Sequence, residues 1–406
     1  MKYDVIVIGG GAAGFFTAIN IADQRPDVKI LILERGNEVL SKVRISGGGR
    51  CNVTHAEFIP KELSLNYPRG QKELLGPFHS FMTGDTMAWF EERGVDLKIE
   101  DDGRIFPVSN SSTSIIDCFM AEVKRLGIEV QTKNAVQDFK KENGLWQVTT
   151  SKASFTSDKV VVTTGSNPKI WGKLKTLSHT IINAVPSLFT FNTKDNRIKD
   201  LPGLATEVQL KVQNSNLQSE GPLLITHWGF SGPAILKLSA WGALALQQMN
   251  YNFELAINWV VDKSAEEILE YVKSIRNSGK TAKIINSVNF GLPKRLWQQL
   301  VMASTITENE IWSEVSNKKL QELTRQLNCS TFQINGKSTF KEEFVTAGGV
   351  DLKEVNFKTF ESKLQPGLYL AGEVLNIDAI TGGFNFQNAW TGGFLIAKAI
   401  AKCHKN

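Results

Sequence analysis

The sequence predicts an α/β protein built on a buried, mostly parallel sheet that the chain leaves and later rejoins. Three observations predict it. The apolar run Tyr3–Ile8 leads directly into the glycine cluster Gly9-Gly10-Gly11-Ala12-Ala13-Gly14. A second apolar run, Gly367–Ala371, stands near the far end of the chain. Between them the composition changes twice, first to Thr, Phe and alternating apolar residues, then to helical periodicity.

The elements follow in order. Tyr3–Ile8 is nearly all apolar, as suits a strand buried on both faces of a parallel sheet. A helix is expected from Gly14 to about Ala22, and Val28–Leu33 reads as the next strand, completing a βαβ unit. Further βα elements are expected up to a strand at Val160–Thr164 that ends in Thr164-Gly165. From Pro186 to about Val260, alternating apolar residues and turns such as Leu201-Pro202-Gly203 predict an antiparallel β-rich insertion. From Asp262 to about Leu327, AEEILEYVKSI, PKRLWQQLVMA and KKLQELTRQL predict a small helical subdomain. The returning strand belongs with the first, so the N-terminal domain is discontinuous. The division is 1–186 with 343–406 for this domain, 187–261 with 328–342 for the β-rich insertion, and 262–327 for the helices.

Gly9, Gly11 and Gly14 form a G-x-G-x-x-G run between a strand and a helix, and Glu34 ends the next strand about 20 residues later. In that context the run is a dinucleotide fingerprint. Gly9 permits the tight turn, Gly11 lets a pyrophosphate approach the backbone, and Gly14 lets helix and strand pack closely. The helix N-terminus offers free N–H groups and partial positive charge to phosphate, and Glu34 can accept hydrogen bonds from a ribose. The fingerprint alone does not separate NAD from FAD.

Two other segments point to FAD. Lys42-Val-Arg-Ile-Ser46-Gly47-Gly48-Gly49-Arg50-Cys51-Asn52 suits a loop whose backbone approaches a planar ligand and its phosphates. Near the C-terminus, GLYLA runs into Gly372-Glu373, followed by Thr381-Gly382-Gly383-Phe384-Asn385-Phe386 and a helix from about Gln387 to Lys402. A helix N-terminus of that kind stabilises negative charge on a reduced flavin.

Taken together, GGGAAG, SGGGRCN, TAGGV, LYLAGEVL and TGGFNFQNAW resemble the aminoacetone oxidase family of FAD-binding enzymes, also called BaiN-like or YhiN-like, of the two-dinucleotide-binding-domain type. GPLLITHWGFSGPAILKLS and LPKRLW resemble that family's inserted region, so the likeness covers nearly the whole chain. It implies a Rossmann-like FAD-binding domain, a barrel-like β insertion, a helical subdomain and non-covalent FAD. It also implies roles: Gly9, Gly11, Ala12, Ala13, Gly14, Glu34 and Arg35 on the ADP half; Lys42, Ser46, Gly47, Gly48, Arg50, Cys51 and Asn52 on the flavin side. Val136 would meet adenine through its backbone, Thr164 and Gly165 would follow the sheet edge, and Gly372, Glu373, Gly383, Asn385 and Phe386 would close the site. The family often carries Asp-Val-Asp-Gly where this chain has Asn376-Ile377-Asp378-Ala379.

The implied chemistry is hydride transfer between flavin and a small organic substrate, either oxidation of an amine or amino ketone or reduction of an activated C=C bond. FAD does the redox work, so no acid or base is demanded. His227, in THWGFSGP, is the best candidate for handling a proton. His55 reads as a loop or capping residue with a proton-donor alternative, and Cys51 as a packing residue with a thiol-chemistry alternative. Trp228 and Phe230 either stack on substrate or fill a core. No second fingerprint follows a strand, so NAD(P)H is expected at most as a transient donor.

The composition bounds the rest. Forty-six Lys and Arg against 41 Asp and Glu give a net charge of +5, with no dense basic stripe, and nucleic acid is not expected as a partner. An RNA-binding flavoprotein in nucleoside modification and a non-catalytic redox sensor stand as alternatives. No run reaches the roughly 18 apolar residues of a membrane span, the N-terminus does not read as a signal peptide, and Cys51, Cys118, Cys329 and Cys403 form no CxxC pair. A cytoplasmic enzyme without metal is expected.

Overall fold

The computed structural model describes residues 1–338 and 345–402. The chain forms two compact units, Met1–Val185 with Val345–Asn406, and Pro186–Phe344. The predicted return point at 342/343 lies outside the described residues, as does Cys403.

In the first unit, β1 (Lys2–Ile8) runs parallel to β2 (Ile30–Leu33) on one side and to β4 (Ser154–Val162) on the other. Strand β3 (Glu129–Gln131) extends the sheet beyond β2, and β5 (Leu368–Leu370) pairs in parallel with β4. The C-terminal strand is thus a full member of the sheet that the N-terminus begins. Val5–Ile8 and Ile30–Leu33 are buried throughout, which is why these strands read as continuous apolar runs rather than alternating ones. Helix α1 (Ala12–Gln24) begins two residues before its expected start, with Gly11 as N-cap. The last helix, α3 (Phe384–Lys402), packs on α1 so closely that a Cβ at Gly393 would stand 2.9 Å from Thr17 Oγ1.

One stretch departs from the expected βα repeat. The chain reaches β4 through an antiparallel meander, Val136–Glu142 to Leu145–Thr150 to β4. Its first turn is Asn143-Gly144, both with positive φ (51° and 82°). That backbone matches the right-handed strand twist and makes the pair a hairpin signal. TAGGV forms a wholly buried strand, Val345–Val350, that pairs with Ile181–Ser187.

The second unit holds a seven-stranded sheet in the order Ser330–Asn335, Asn252–Asn258, Ala205–Val212, Gln218–Thr226, Gly229–Ser231, Thr190–Asn192, Lys337–Ser338, with antiparallel neighbours. Two helices, Pro233–Trp241 and Ala243–Gln248, interrupt the region the sequence predicts as β-rich. Pro233 at the first helical position starts the former, and Ile235, Leu238 and Leu246 are buried in the sheet's core. The helical segment contains Ala265–Asn277, Lys294–Ala303 and Asn317–Asn328. The first has a reciprocal capping box: Glu267 N–H donates to Ser264 Oγ (3.2 Å) and Ser264 N–H to Glu267 Oε2 (2.7 Å). Trp297, Leu300, Leu320 and Leu323 are buried in the same cluster as the sheet's inner face. Among the described residues no helix is long and apolar enough to cross a membrane, and no cluster of three His, Cys, Asp or Glu could hold a metal.

Candidate dinucleotide site

The carboxyl ends of β1, β2, β4 and β5 carry the first part of the site. Gly9 has φ +114°, and a Cβ there would meet the Thr163 carbonyl oxygen at 2.6 Å. A Cβ at Gly14 would collide with the Gly9 carbonyl and reach Thr163 Oγ1 at 2.8 Å. These two glycines are therefore required by the protein's own packing. Gly11 differs: its backbone is extended (φ −96°), and a Cβ there would meet nothing within 4 Å. No side chain caps α1, so the amides of Ala12, Ala13 and Gly14 at its first turn face an open approach at Gly11.

Glu34, half-buried at the end of β2, accepts from Gly10 N–H on Oε2 (2.9 Å) and from Gly36 N–H on Oε1 (2.6 Å). The carboxylate is fixed by both loops while each oxygen keeps a lone pair. Asn134 N–H donates to the Glu34 carbonyl and Lys133 N–H to that of Gly36, which brings the chain just before Val136 beside this corner. Arg35 is exposed. Thr163 Oγ1 donates to the Gly9 carbonyl (3.0 Å), whereas the neighbouring Thr164 Oγ1 is buried without a partner. At this end of the sheet the hydroxyl is available to a bound group. Gly165 (φ +60°) faces Glu373 Oε2, 3.6 Å from its Cβ position. Gly372 faces the Ala13 methyl at 3.4 Å, and Glu373 pairs with Lys42 at 2.6 Å.

The SGGGRCN loop forms the second part. Helix α2 (Ser41–Gly49) breaks at Ser46, and Gly47, Gly48 and Gly49 follow with φ of 57°, 67° and 85°. Gly47 packs against the Phe106 ring and Asn52 N, while Cβ atoms at Gly48 and Gly49 would meet nothing. The loop thus exposes backbone where side chains would stand in the way. Ser46 Oγ donates to the Val43 carbonyl. Arg50 stacks over Phe106 (3.9 Å) and pairs with Glu100 (2.6 Å). Cys51 is wholly buried with φ +62°, and burial pushes its thiol up to about 12. A thiol so raised carries almost no thiolate at neutral pH.

The C-terminal loop lies against this one. With its carboxamide oriented to satisfy both ends, Asn52 accepts from Gly383 N–H (3.0 Å) and donates to the Thr54 carbonyl (3.0 Å). A Cβ at Gly383 would stand 2.6 Å from the Thr54 oxygen. His55 stacks on Phe384 (4.6 Å between ring centres), and its Nδ1 lies 3.1 Å from the Gly382 carbonyl. Burial lowers the His55 pKa, against smaller opposing effects of the Gly382 carbonyl and nearby carboxylates. Tyr67 Oη donates to the Phe384 carbonyl (2.6 Å). Asn385 bridges the N–H and carbonyl of Ala379 (3.1 and 3.3 Å), and Phe386 stacks on the buried Trp390 (5.5 Å, 10°). Arg69 holds the fully buried Asp378 through a bidentate ion pair. The carboxylate retained from the altered Asn376–Ala379 segment is thus its structural anchor.

Sequence reasoning did not find Thr163, Tyr67, Arg69 or the contact of His55 with the closing loop. Of these only Thr163, beside Thr164-Gly165, carried a local signal. His227 belongs to the other unit, exposed on the turn between Gln218–Thr226 and Gly229–Ser231, with Trp228 beside it and Phe230 buried in the core.

A glycine-turned helix N-terminus, a carboxylate at the end of β2 and a C-terminal return strand form a Rossmann-type dinucleotide site, which in this chain's family serves FAD-dependent oxidoreduction. Residues 3–399 match the HI0933-like protein Rossmann domain, and the chain belongs to that family. It is 25% identical over 407 residues to the 3-dehydro-bile acid delta(4,6)-reductase of Clostridium scindens, covering 98% of each chain. It is 27% identical over 410 residues to the ribosomal RNA dihydrouridine synthase of Escherichia coli, again 98% of each. Among solved structures, the 3-ketosteroid-delta4-(5alpha)-dehydrogenase of Rhodococcus jostii shares the fold, with a TM-score of 0.52 at 12% identity over 98% of this chain and 97% of that one.

Proposed function

We propose that this protein reduces a carbon–carbon double bond conjugated to a carbonyl group. One observation carries the reading. Its full-length relatives are named for a bile-acid delta(4,6)-reductase and a dihydrouridine synthase, different substrates that share one bond type. A 3-dehydro steroid with a Δ4 bond and a uracil ring each present an alkene polarised by a neighbouring carbonyl. Bound FAD supplies the hydride.

The protein's own residues supply the rest. The first-turn amides of α1 at Ala12–Gly14 hold the pyrophosphate, Glu34 the ribose and the backbone of Val136 the adenine. Thr164 Oγ1 finds its partner on the bound group, and Lys42 and Glu373 orient its middle. Gly48 and Gly49 let the backbone lie against the ring system, and the Asn52–Gly383 bond holds the closing loop in place. Saturating the bond also consumes a proton. The electron donor in this reading is NAD(P)H, visiting without a fold of its own, and the setting is cytoplasmic.

The test is an anaerobic visible spectrum of the FAD-loaded protein before and after NADH, then NADPH. Bleaching of the flavin band supports a reductase. A band untouched by either nucleotide, yet bleached by amino ketones, makes the protein an oxidase and ends this reading.

A further inference from the structure

The two inserted-region segments singled out in the sequence, THWGFSGP and LPKRLW, are not used by the dinucleotide site. In the Pro186–Phe344 unit they meet each other and the Leu201-Pro202-Gly203 turn around one open hollow of about 610 Å³. Hydrogen bonds join the three pieces. Gly203 N–H donates to the Ile225 carbonyl (2.9 Å), and Arg295 Nη1 donates to the Asp200 carbonyl (3.3 Å). The hairpin turn is held by Thr226 Oγ1 on the Gly229 carbonyl (3.1 Å) and by Thr193 N–H on that of Trp228 (3.0 Å).

The lining has two halves. Lys199 and Arg295, the latter from the first turn of the helix Lys294–Ala303, bring positive charge. Neither cation has a carboxylate partner among the described residues; Asp200 is the one acid of the lining. The other half is apolar, with Trp228, 41% exposed, and Leu224, 37% exposed, and His227 is also in the lining. Partly exposed apolar side chains beside cations that lack a carboxylate partner form a surface for a ligand that has both a π face and negative charge.

We infer that this hollow binds a nucleotide, its base against Trp228 and Leu224 and its phosphate at Lys199 and Arg295. Phosphate is held by the fork of Arg295 with Lys199 beside it, and the base by stacking, which tolerates any base identity. An RNA strand and a free dinucleotide such as NADPH share this chemistry. The inference deepens the uracil form of the reading above and rests on it for the choice of probe. Binding is measured rather than turnover, so a failure here leaves the redox reading standing.

The experiment uses the full-length, FAD-loaded protein. Fluorescence anisotropy with a fluorescein-labelled 12-mer oligouridylate gives Kd for wild type, Trp228→Ala, Arg295→Glu and the remote control Lys280→Glu. The NADPH concentration that half-bleaches the flavin band is measured on the same four proteins. Arg295→Gln replaces Arg295→Glu if the latter loses bound FAD. The inference expects Trp228→Ala and Arg295→Glu each to raise one of the two values about tenfold or more, with Lys280→Glu within twofold. A change in the oligouridylate Kd assigns the hollow to a strand; a change in the NADPH value alone assigns it to the free dinucleotide. A wild-type protein that binds neither probe, or variants that move neither value beyond twofold, overturns it.

Discussion

Lys42 and Glu373 stand 331 positions apart, yet the lysine ammonium donates to the carboxylate at 2.6 Å. The contact ties the start of the SGGGRCN segment to the end of the last sheet strand. The lysine is 58% exposed, so the pair adds less than about 1 kcal/mol to folding. Lys42→Ala should therefore leave the urea midpoint of the apoprotein nearly unchanged. FAD affinity, read by quenching of flavin fluorescence, should fall several-fold, because Glu373 is left without its charge partner. Equal affinity in the variant would remove Lys42 from the site.

Gly11 and Gly14 separate binding from folding. A Cβ at Gly11 meets open space, whereas one at Gly14 collides with the Gly9 carbonyl. Gly11→Ala should give a stable apoprotein with FAD affinity reduced by about two orders of magnitude, because in the proposed site the methyl would stand in the path of the pyrophosphate. Gly14→Ala should cost about 1–3 kcal/mol of stability as an overpacking change. Thermal melts of both apoproteins beside FAD titrations check this, and a Gly11→Ala protein that binds FAD normally would contradict it.

Much of this was legible in the sequence because it is local. The glycine run, the buried strands and the helical periodicity of Asp262–Leu327 each act over a few residues, so their pattern survives in one dimension. The helices at Pro233–Gln248 were hidden because their apolar positions also fit alternation, and only Pro233 marked a start. The meander before β4 was signalled by Asn143-Gly144, but the expected βα repeat overrode it. The Arg69–Asp378 pair could not be read at all, since nothing local links residues 309 apart.

Asp378 is fully buried, and its charge is balanced by Arg69. Arg69→Leu should destabilise the protein by about 3–5 kcal/mol, because it strands a buried carboxylate. Adding Asp378→Asn should recover a large part of that loss. Urea unfolding of the single and double variants measures it, and a single variant as stable as wild type would show that the closing loop has another anchor.

His55 gives the closing loop a pH dependence. Burial holds its pKa below the usual imidazole value, so the folded protein binds its proton less readily than the unfolded chain. Its contribution to stability is fully present above a pH of about 6.5 and is lost as the pH falls from there toward the lowered folded value. FAD affinity and melting temperature should both decline on acidification through that window. His55→Phe should keep the stack on Phe384 and flatten this part of the profile. A slope unchanged in the variant would assign the effect to another group.

The central claim is tested most directly by the acceptor. The FAD-loaded protein, photoreduced without oxygen, is mixed with a 4-ene-3-ketosteroid and, separately, with a uridine-containing RNA oligonucleotide, while absorbance is followed at the flavin band. The account expects the band to return with one of them, accompanied by one equivalent of saturated product. A reduced protein that neither compound reoxidises, together with an oxidised protein that amino ketones bleach, would contradict it.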